Sequence, residues 1–170
     1  WDPFEIAVRA IVGQQVSVAA ARTVCGRIVA RYGNPIDSAQ RNGLQHVFPA
    51  PEMLVRARLS GLGLTGRRIS TIRASAKGMA NGDLAVSTGA NLDEASERLT
   101  ELPGVGAWTA HYIALRALGE PDAFPTGDLG LIRAWEALAR KEVTAKELDA
   151  RAEAGRPGRG YAAWPLWSSL

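Results

Sequence analysis

Several residues stand out for chemistry rather than packing. The pentapeptide Leu102-Pro103-Gly104-Val105-Gly106 joins two helical stretches. Its glycines let a backbone turn tightly and approach a partner with no Cβ in the way. Pro103 pre-sets φ and brings no N–H, which suits a tight turn. The following helix begins with unpaired N–H groups, a seat for a phosphate oxygen. Such contacts position a protein without reading sequence. The same five residues serve equally as a plain connector, and on their own they leave both readings open. Trp108 and Tyr112 follow at i and i+4 and share a helix face. That face can attract a cationic ring or pack in a core. Asp128 heads the stretch Leu129 to Leu138, where an N-cap is its plain role.

The elements that must hold these residues read as helices throughout. Asp2-Pro3-Phe4-Glu5 predicts a helix start with Asp2 as N-cap and Glu5 closing a capping box. Phe4, Val8, Ile11 and Val12 continue it until Gly13-Gln14-Gln15 interrupts. Ser17 opens a second helix that Gly33 and Pro35 stop. Residues 34–50 read as a loop, and Pro51 opens a short helix to Gly61. Thr65 caps a helix running to about Asn81-Gly82. Asn91-Leu92-Asp93-Glu94 predicts a capping box for a helix ending near Glu101, and another helix spans Ala107 to Leu118. Residues 120–127 read as a loop, Thr144-Ala145-Lys146-Glu147 caps one more helix, and a last begins near Pro157. No alternating strand and no long-period repeat emerges, so the fold class is all-α.

Composition sets outer bounds. The 170 residues fit one domain or two small lobes sharing a core. Twenty basic and seventeen acidic residues give a formal charge of +3, too mild to mark a nucleic-acid binder by itself. No window reaches the run of about 18 apolar residues that spans a membrane, and no signal peptide is visible. The first residue is Trp1, which suggests a piece of a longer polypeptide. The single Cys25 allows no internal disulfide, no Cys-based zinc site and no four-Cys iron–sulfur cluster. Among Val24, Ile28 and Val29 it reads as a buried thiol, compatible with a reducing cytoplasm.

The segment Leu102 to Ile113, followed by Phe124-Pro125-Thr126-Gly127-Asp128-Leu129, resembles the helix-hairpin-helix (HhH-GPD) DNA glycosylase superfamily. Its marks are the hairpin, a Gly/Pro-rich loop and one essential Asp at the next helix start. The wider match resembles the 3-methyladenine DNA glycosylase II branch. Phe4 to Ser17 is similar to that branch's first helix and turn, Leu62-Gly63-Leu64 with Arg67-Arg68 to its middle loop, and Arg156-Pro157 with Tyr161 and Trp167 to its last helix.

The resemblance implies two helical lobes with the active site in the cleft between them, and one glycosylase domain over residues 1–170. Any N-terminal β-rich lobe or fusion partner would lie outside this chain. It implies a monomer that excises alkylated bases of the 3-methyladenine and 7-methylguanine type from damaged double-stranded DNA, in the bacterial cytoplasm. Asp128 is the match for the catalytic carboxylate, which stabilises the oxocarbenium-like sugar and can orient or deprotonate water. Trp108, Tyr112 and Trp167 match the base pocket; an alkylated base is cationic, so an aromatic pocket suits it. Trp135 and Trp164 are left to the core. Gln14 and Gln15 match the turn that fills the gap left by a flipped base, with Gln15 inserted. Leu102, Gly104, Val105, Gly106 and Arg67 complete the DNA contacts. The carbonyls of Thr100, Leu102 and Val105 match those holding a structural Na+ or K+, a chemistry that carbonyl oxygen suits; no other cofactor is implied. Relatives that also cut the backbone carry a Lys where this chain has Trp108, so the resemblance implies a monofunctional enzyme with water as nucleophile.

This chain departs from the pattern at some positions. Gly127 stands where some relatives carry a second Asp, and Gly155 and Gly158 where relatives usually have Trp. Two glycines there should loosen the start of the last helix, and Pro165 should kink it. Two other readings compete: a non-catalytic helix-hairpin-helix module that holds or senses DNA, needing the hairpin but not Asp128, and a helical bundle unrelated to DNA.

Overall fold

A computed structural model of the chain describes residues 2–36, 45–82 and 91–170. These residues divide into two compact units. Residues 2–36, 45–82 and 102–104 form the first, residues 91–101 and 105–170 the second. Each unit has its own apolar cluster rather than a share of one.

In the first unit, α1 (Pro3–Gly13) starts as its sequence dictates: the Asp2 carboxylate accepts the Phe4 N–H at 2.8 Å and Pro3 occupies the first turn. The capping box does not close, because Glu5 turns to Arg9 one turn on and accepts from its Nε at 2.7 Å. Ser17 caps α2 (Val18–Tyr32). Between 34 and 50 the expected loop carries a two-residue antiparallel pair, β1 (Asn34–Pro35) with β2 (His46–Val47). Residues 37–44 lie outside the described residues.

Helix α3 (Pro51–Val55) is shorter than the run to Gly61 that the sequence suggests. Beyond it Ala57 and Leu59 are buried while Arg58 and Ser60 are exposed. Two carbonyls that a helix would consume are taken by side chains: Arg73 donates to Ala57 O at 3.0 Å and the Tyr32 hydroxyl to Arg58 O at 2.7 Å. Thr65 caps α4 (Gly66–Ala80). Phe4, Val8, Ile11, Ile28, Leu54 and Ile72 fill the space among these helices, and Cys25 is buried with them. Burial pushes its thiol pKa up, as a structural cysteine requires.

In the second unit, α5 (Leu92–Thr100) is capped by Asn91 alone, since Glu94 pairs with Arg98 at 3.1 Å. Helix α6 (Ala107–Ile113) widens into a π-helical turn over Ala114–Leu118, stopped by Gly119 at φ +71°. Then come α7 (Leu129–Ala139), α8 (Ala145–Glu153) and α9 (Gly160–Ser168). The capping box of α8 forms in both halves, as expected. Phe124, Leu131, Ala134, Leu148, Ala163 and Leu166 anchor this unit's core.

The last helix begins at Gly160, later than expected, and its start is pinned rather than loose. Arg159, 9% exposed, donates from Nε to Asp122 O at 2.9 Å, and Arg156 pairs with the Asp122 carboxylate at 2.5 Å. The Gly160 N–H donates to Pro121 O at 2.8 Å. A Cβ on Gly160 would stand 2.7 Å from the carbonyl oxygens of Pro121 and Ala123, so this approach requires glycine. Helix α9 continues through Pro165 to Ser168, which keeps Trp167 on a helical face.

Candidate active site and nucleic-acid interface

The first unit holds several of the residues expected to contact DNA. The turn after α1 presents Gln14 and Gln15. Gln14 donates from its amide to Gly104 O at 3.1 Å, and its own carbonyl accepts from the Arg68 guanidinium. Gln15 is exposed and held in the left-handed region at φ +53°. Such a backbone in a residue other than glycine is costly and tends to persist where function needs it. Arg67 is exposed in the first turn of α4, and its carbonyl accepts from Thr71 Oγ1 at 3.1 Å. The sequence named Arg68 only beside Arg67 and did not single out Thr71: Arg68 bonds the Gln14 carbonyl and Thr71 packs at Gly104, whereas Arg67 is exposed.

Gly104 is the hairpin residue under real steric demand. Its φ is +87°, and a Cβ there would lie 2.3 Å from Thr71 Oγ1. Gly106 has φ −99° and open space around it, so its missing side chain only keeps that stretch of backbone uncovered. It is the N-cap of α6 and is exposed, Leu102 is half-buried, and Val105 is buried. Gly104→Ala is therefore expected to cost about 2–4 kcal/mol of stability from strain and overlap, and Gly106→Ala less than about 1 kcal/mol. Thermal melts of the two variants side by side check the difference.

The second unit brings Asp128, Trp108, Tyr112 and Trp167 together. Asp128 is the N-cap of α7, and its Oδ1 accepts the Leu131 N–H at 2.9 Å. The Trp167 indole N–H donates to the same oxygen at 3.0 Å. The Trp108 indole N–H donates to Oδ2 at 3.0 Å. An ionised carboxylate offers about four acceptor sites, so three donors leave one, on Oδ2. Helix capping and the Trp167 indole thus consume Oδ1, whereas Oδ2 keeps an open lone pair.

The aromatic rings form a continuous group around that carboxylate. Trp108 and Tyr112 stack with centroids 5.3 Å apart and 23° between planes. Tyr112 meets Trp167 edge-on at 5.8 Å. Trp164 is not core: it is 41% exposed, edge-on to Trp167 at 6.2 Å, with the Arg116 guanidinium 4.5 Å from its ring centroid. Arg116 also lies 5.7 Å from the Tyr112 ring. Trp164 is thus exposed, whereas Trp167 is half-buried with its indole N–H on Asp128. Trp135 packs partly buried against the second core, as expected. Gly130 lets α7 and α9 come close: a Cβ there would lie 3.0 Å from Asp128 Oδ1 and 3.3 Å from Trp167 Cδ1.

His111, three residues after Trp108, was also missed. Its Nδ1 accepts the Phe124 N–H at 3.2 Å. Burial holds its pKa below the ordinary histidine value, helped by Arg159 and Arg156 against Asp122 and Asp93. The signal was available, since positions i and i+3 share a helix face with Trp108.

With this geometry in hand, comparison with known proteins becomes specific. Residues 8–157 match the family model of the HhH-GPD superfamily base excision DNA repair proteins. The chain belongs to that superfamily. It is 41% identical, over 99% of its length, to a probable bifunctional transcriptional activator/DNA repair enzyme AlkA of Mycobacterium tuberculosis, of which it covers 34%. It is 31% identical to DNA-3-methyladenine glycosylase 2 of Escherichia coli, covering 98% of this chain and 57% of that protein. The chain thus spans between a third and somewhat over half of these curated relatives. Among solved structures it is similar to the Schizosaccharomyces pombe 3-methyladenine DNA glycosylase in complex with abasic DNA, with TM-score 0.79, 28% identity and coverage of 99% and 82% of the two chains. The Archaeoglobus fulgidus 3-methyladenine DNA glycosylase is also similar, with TM-score 0.83, 31% identity and coverage of 98% and 57%. The all-α helix-hairpin-helix glycosylase fold expected from the sequence is therefore the fold of this chain. No described helix is long and apolar enough to cross a membrane.

Proposed function

We propose that this chain is the glycosylase domain of a monofunctional enzyme that hydrolyses the N-glycosidic bond of alkylated bases, of the 3-methyladenine and 7-methylguanine type, in damaged duplex DNA. The observation that carries the reading is Asp128 with two indole N–H groups at 3.0 Å on opposite oxygens of its carboxylate. A hairpin that only held or sensed DNA needs neither the carboxylate nor the rings around it. The similar proteins named for 3-methyladenine support the substrate class.

Alkylation leaves the base cationic and its glycosidic bond weak. The ring faces of Trp108, Tyr112 and Trp167 attract such a base by stacking and cation–π contact. As the bond breaks, positive charge grows on the sugar, and the Asp128 carboxylate stabilises it at no cost of reorganisation. Its open Oδ2 lone pair orients or deprotonates the attacking water. Trp108 occupies the position that a Schiff-base Lys would need, so no covalent sugar–enzyme bond forms. Gln15 fills the gap left by the flipped base, while Arg67 and the Leu102–Gly106 turn hold phosphates. The reading carries with it a monomer acting on DNA in the bacterial cytoplasm.

A structural Na+ or K+ belongs to the same reading, held by the carbonyls of Thr100, Leu102 and Val105. In support, Thr100 ends α5, and a helix C-terminus favours a cation. The ion would screen a DNA phosphate at the hairpin and take no part in bond breaking.

The test is base release from methylated duplex DNA. Wild-type protein should free 3-methyladenine and 7-methylguanine, leave intact abasic strands and give no borohydride-trapped adduct. Duplex binding with steep salt dependence but no release would instead establish the DNA-holding module.

A further inference from the structure

We propose that His111 is a positioning residue: its neutral imidazole anchors the Phe124–Gly127 loop to α6 and thereby sets where Asp128 presents its carboxylate. The inference rests on the catalytic reading of Asp128 and adds a group that does not touch substrate.

The loop before Asp128 is packed through Phe124, but its own hydrogen bonds are mostly internal. Pro125 has no N–H to give. Thr126 N donates to Phe124 O at 2.8 Å, and Asp128 N donates to Pro125 O at 3.1 Å. Gly127 turns the chain at φ +77°. These bonds shape the loop internally but do not attach it to α6. Two side chains of α6 do so. Trp108 reaches the loop's far end at Asp128 Oδ2, and His111 reaches its near end at the Phe124 N–H. Positions 108 and 111 share a helix face, so one helix holds both ends of the loop. Phe124 is 2% exposed, and its N–H has no water to turn to if the imidazole withdraws.

The protonation state follows from this geometry. A ring nitrogen that accepts an N–H carries no proton, so the imidazole is neutral with its hydrogen on Nε2. A proton added at Nδ1 would set donor against donor. The charges around the ring come from three elements: Asp93 of α5, Asp122 of the loop after the π-helical turn, and Arg156 and Arg159 before α9. Asp122 is ion-paired with both arginines, so it offers His111 little net attraction when the ring is protonated. Burial and the arginines keep the ring neutral until the pH falls below the ordinary value of 6.5. Below that, protonation releases Phe124 and lets Asp128 drift.

The experiment compares wild type with His111→Asn and His111→Phe over pH 4.5 to 8. Asparagine can put Oδ1 where Nδ1 stands and cannot titrate. It should keep the neutral-pH kcat within about threefold while its acid limb moves to lower pH. Phenylalanine leaves the Phe124 N–H unpaired and should lose about ten- to a hundredfold in kcat at every pH, with KM for DNA little changed. A second readout needs no activity: imidazole nitrogen shifts and amide exchange of the free protein. The Nε2–H tautomer, with Phe124 exchange accelerating as His111 titrates, is the expected result. An unchanged acid limb in His111→Asn, or Phe124 exchange indifferent to that titration, overturns the proposal. If Asp128→Asn proves fully active, the catalytic reading fails, and the exchange measurement still decides whether His111 anchors the loop.

Discussion

Asp128→Asn is expected to lower base release about 10³-fold, roughly 4 kcal/mol of transition-state stabilisation, while the protein stays folded. Asparagine is as good an N-cap as aspartate, so the bond from the Leu131 N–H survives through Oδ1. What disappears is the negative charge and the open lone pair of Oδ2. The new amide NH2 would also face the Trp108 indole N–H, now donor against donor. That costs about 1–3 kcal/mol of stability, a drop of several degrees in Tm that leaves the fold intact at assay temperature. Single-turnover release of 7-methylguanine, with a thermal melt on the same sample, separates the two effects. Equal release by variant and wild type would sink the catalytic assignment and leave Asp128 only a helix cap.

The second large effect concerns the two indoles as hydrogen-bond donors, apart from their rings. Trp108→Phe and Trp167→Phe each remove a donor to the carboxylate while leaving an aromatic face. Charge-assisted hydrogen bonds carry about 1.5–3 kcal/mol. Each variant should therefore lose about ten- to a hundredfold in kcat, because a carboxylate with one donor fewer is freer to turn away from its productive orientation. The pair act on one group, so the double variant should lose less than the product of the singles. Replacing either Trp by 3-benzothienylalanine, with sulfur where the N–H stands, separates ring from donor more cleanly. A slow benzothienyl enzyme with unchanged KM supports a positioning donor. One that matches wild type means that the rings matter only as the pocket wall.

Much of this architecture was legible in residue types. Local signals act over a few residues, and where nothing farther along the chain competed they held. Ser17, Thr65 and Thr144 cap the helices they precede. Asp128 does so too, and α6 follows the hairpin. The failures each involve a partner that competes with the signal read, some one turn away and some distant in sequence. Glu5 and Glu94 gave up their capping boxes to arginines one turn along. Helix α3 ended early because Arg73 and Tyr32, distant in sequence, took the carbonyls that would have continued it. Gly155 and Gly158 did not loosen α9, because Arg159 ties its start to Asp122. Trp164, assigned to the core by type, faces outward against Arg116.

The same division holds for the candidate site. By itself the sequence determined the kind of molecule: an all-α chain with a Gly/Pro hairpin, an aromatic pair at helical spacing and a carboxylate heading the next helix. Spacing along one helix is fixed by 3.6 residues per turn, so the pairing of Trp108 with Tyr112 could be read directly. The tertiary structure alone decided what reaches Asp128. Trp167 is 39 residues away and arrives through the close approach of Gly160 to the carbonyls of Pro121 and Ala123. Which carboxylate oxygen is consumed and which stays open depends on directional bonds from α6, α7 and α9. Sequence specifies the donors, but only packing aims them, because a hydrogen bond survives an error of a few tenths of an ångström and no more.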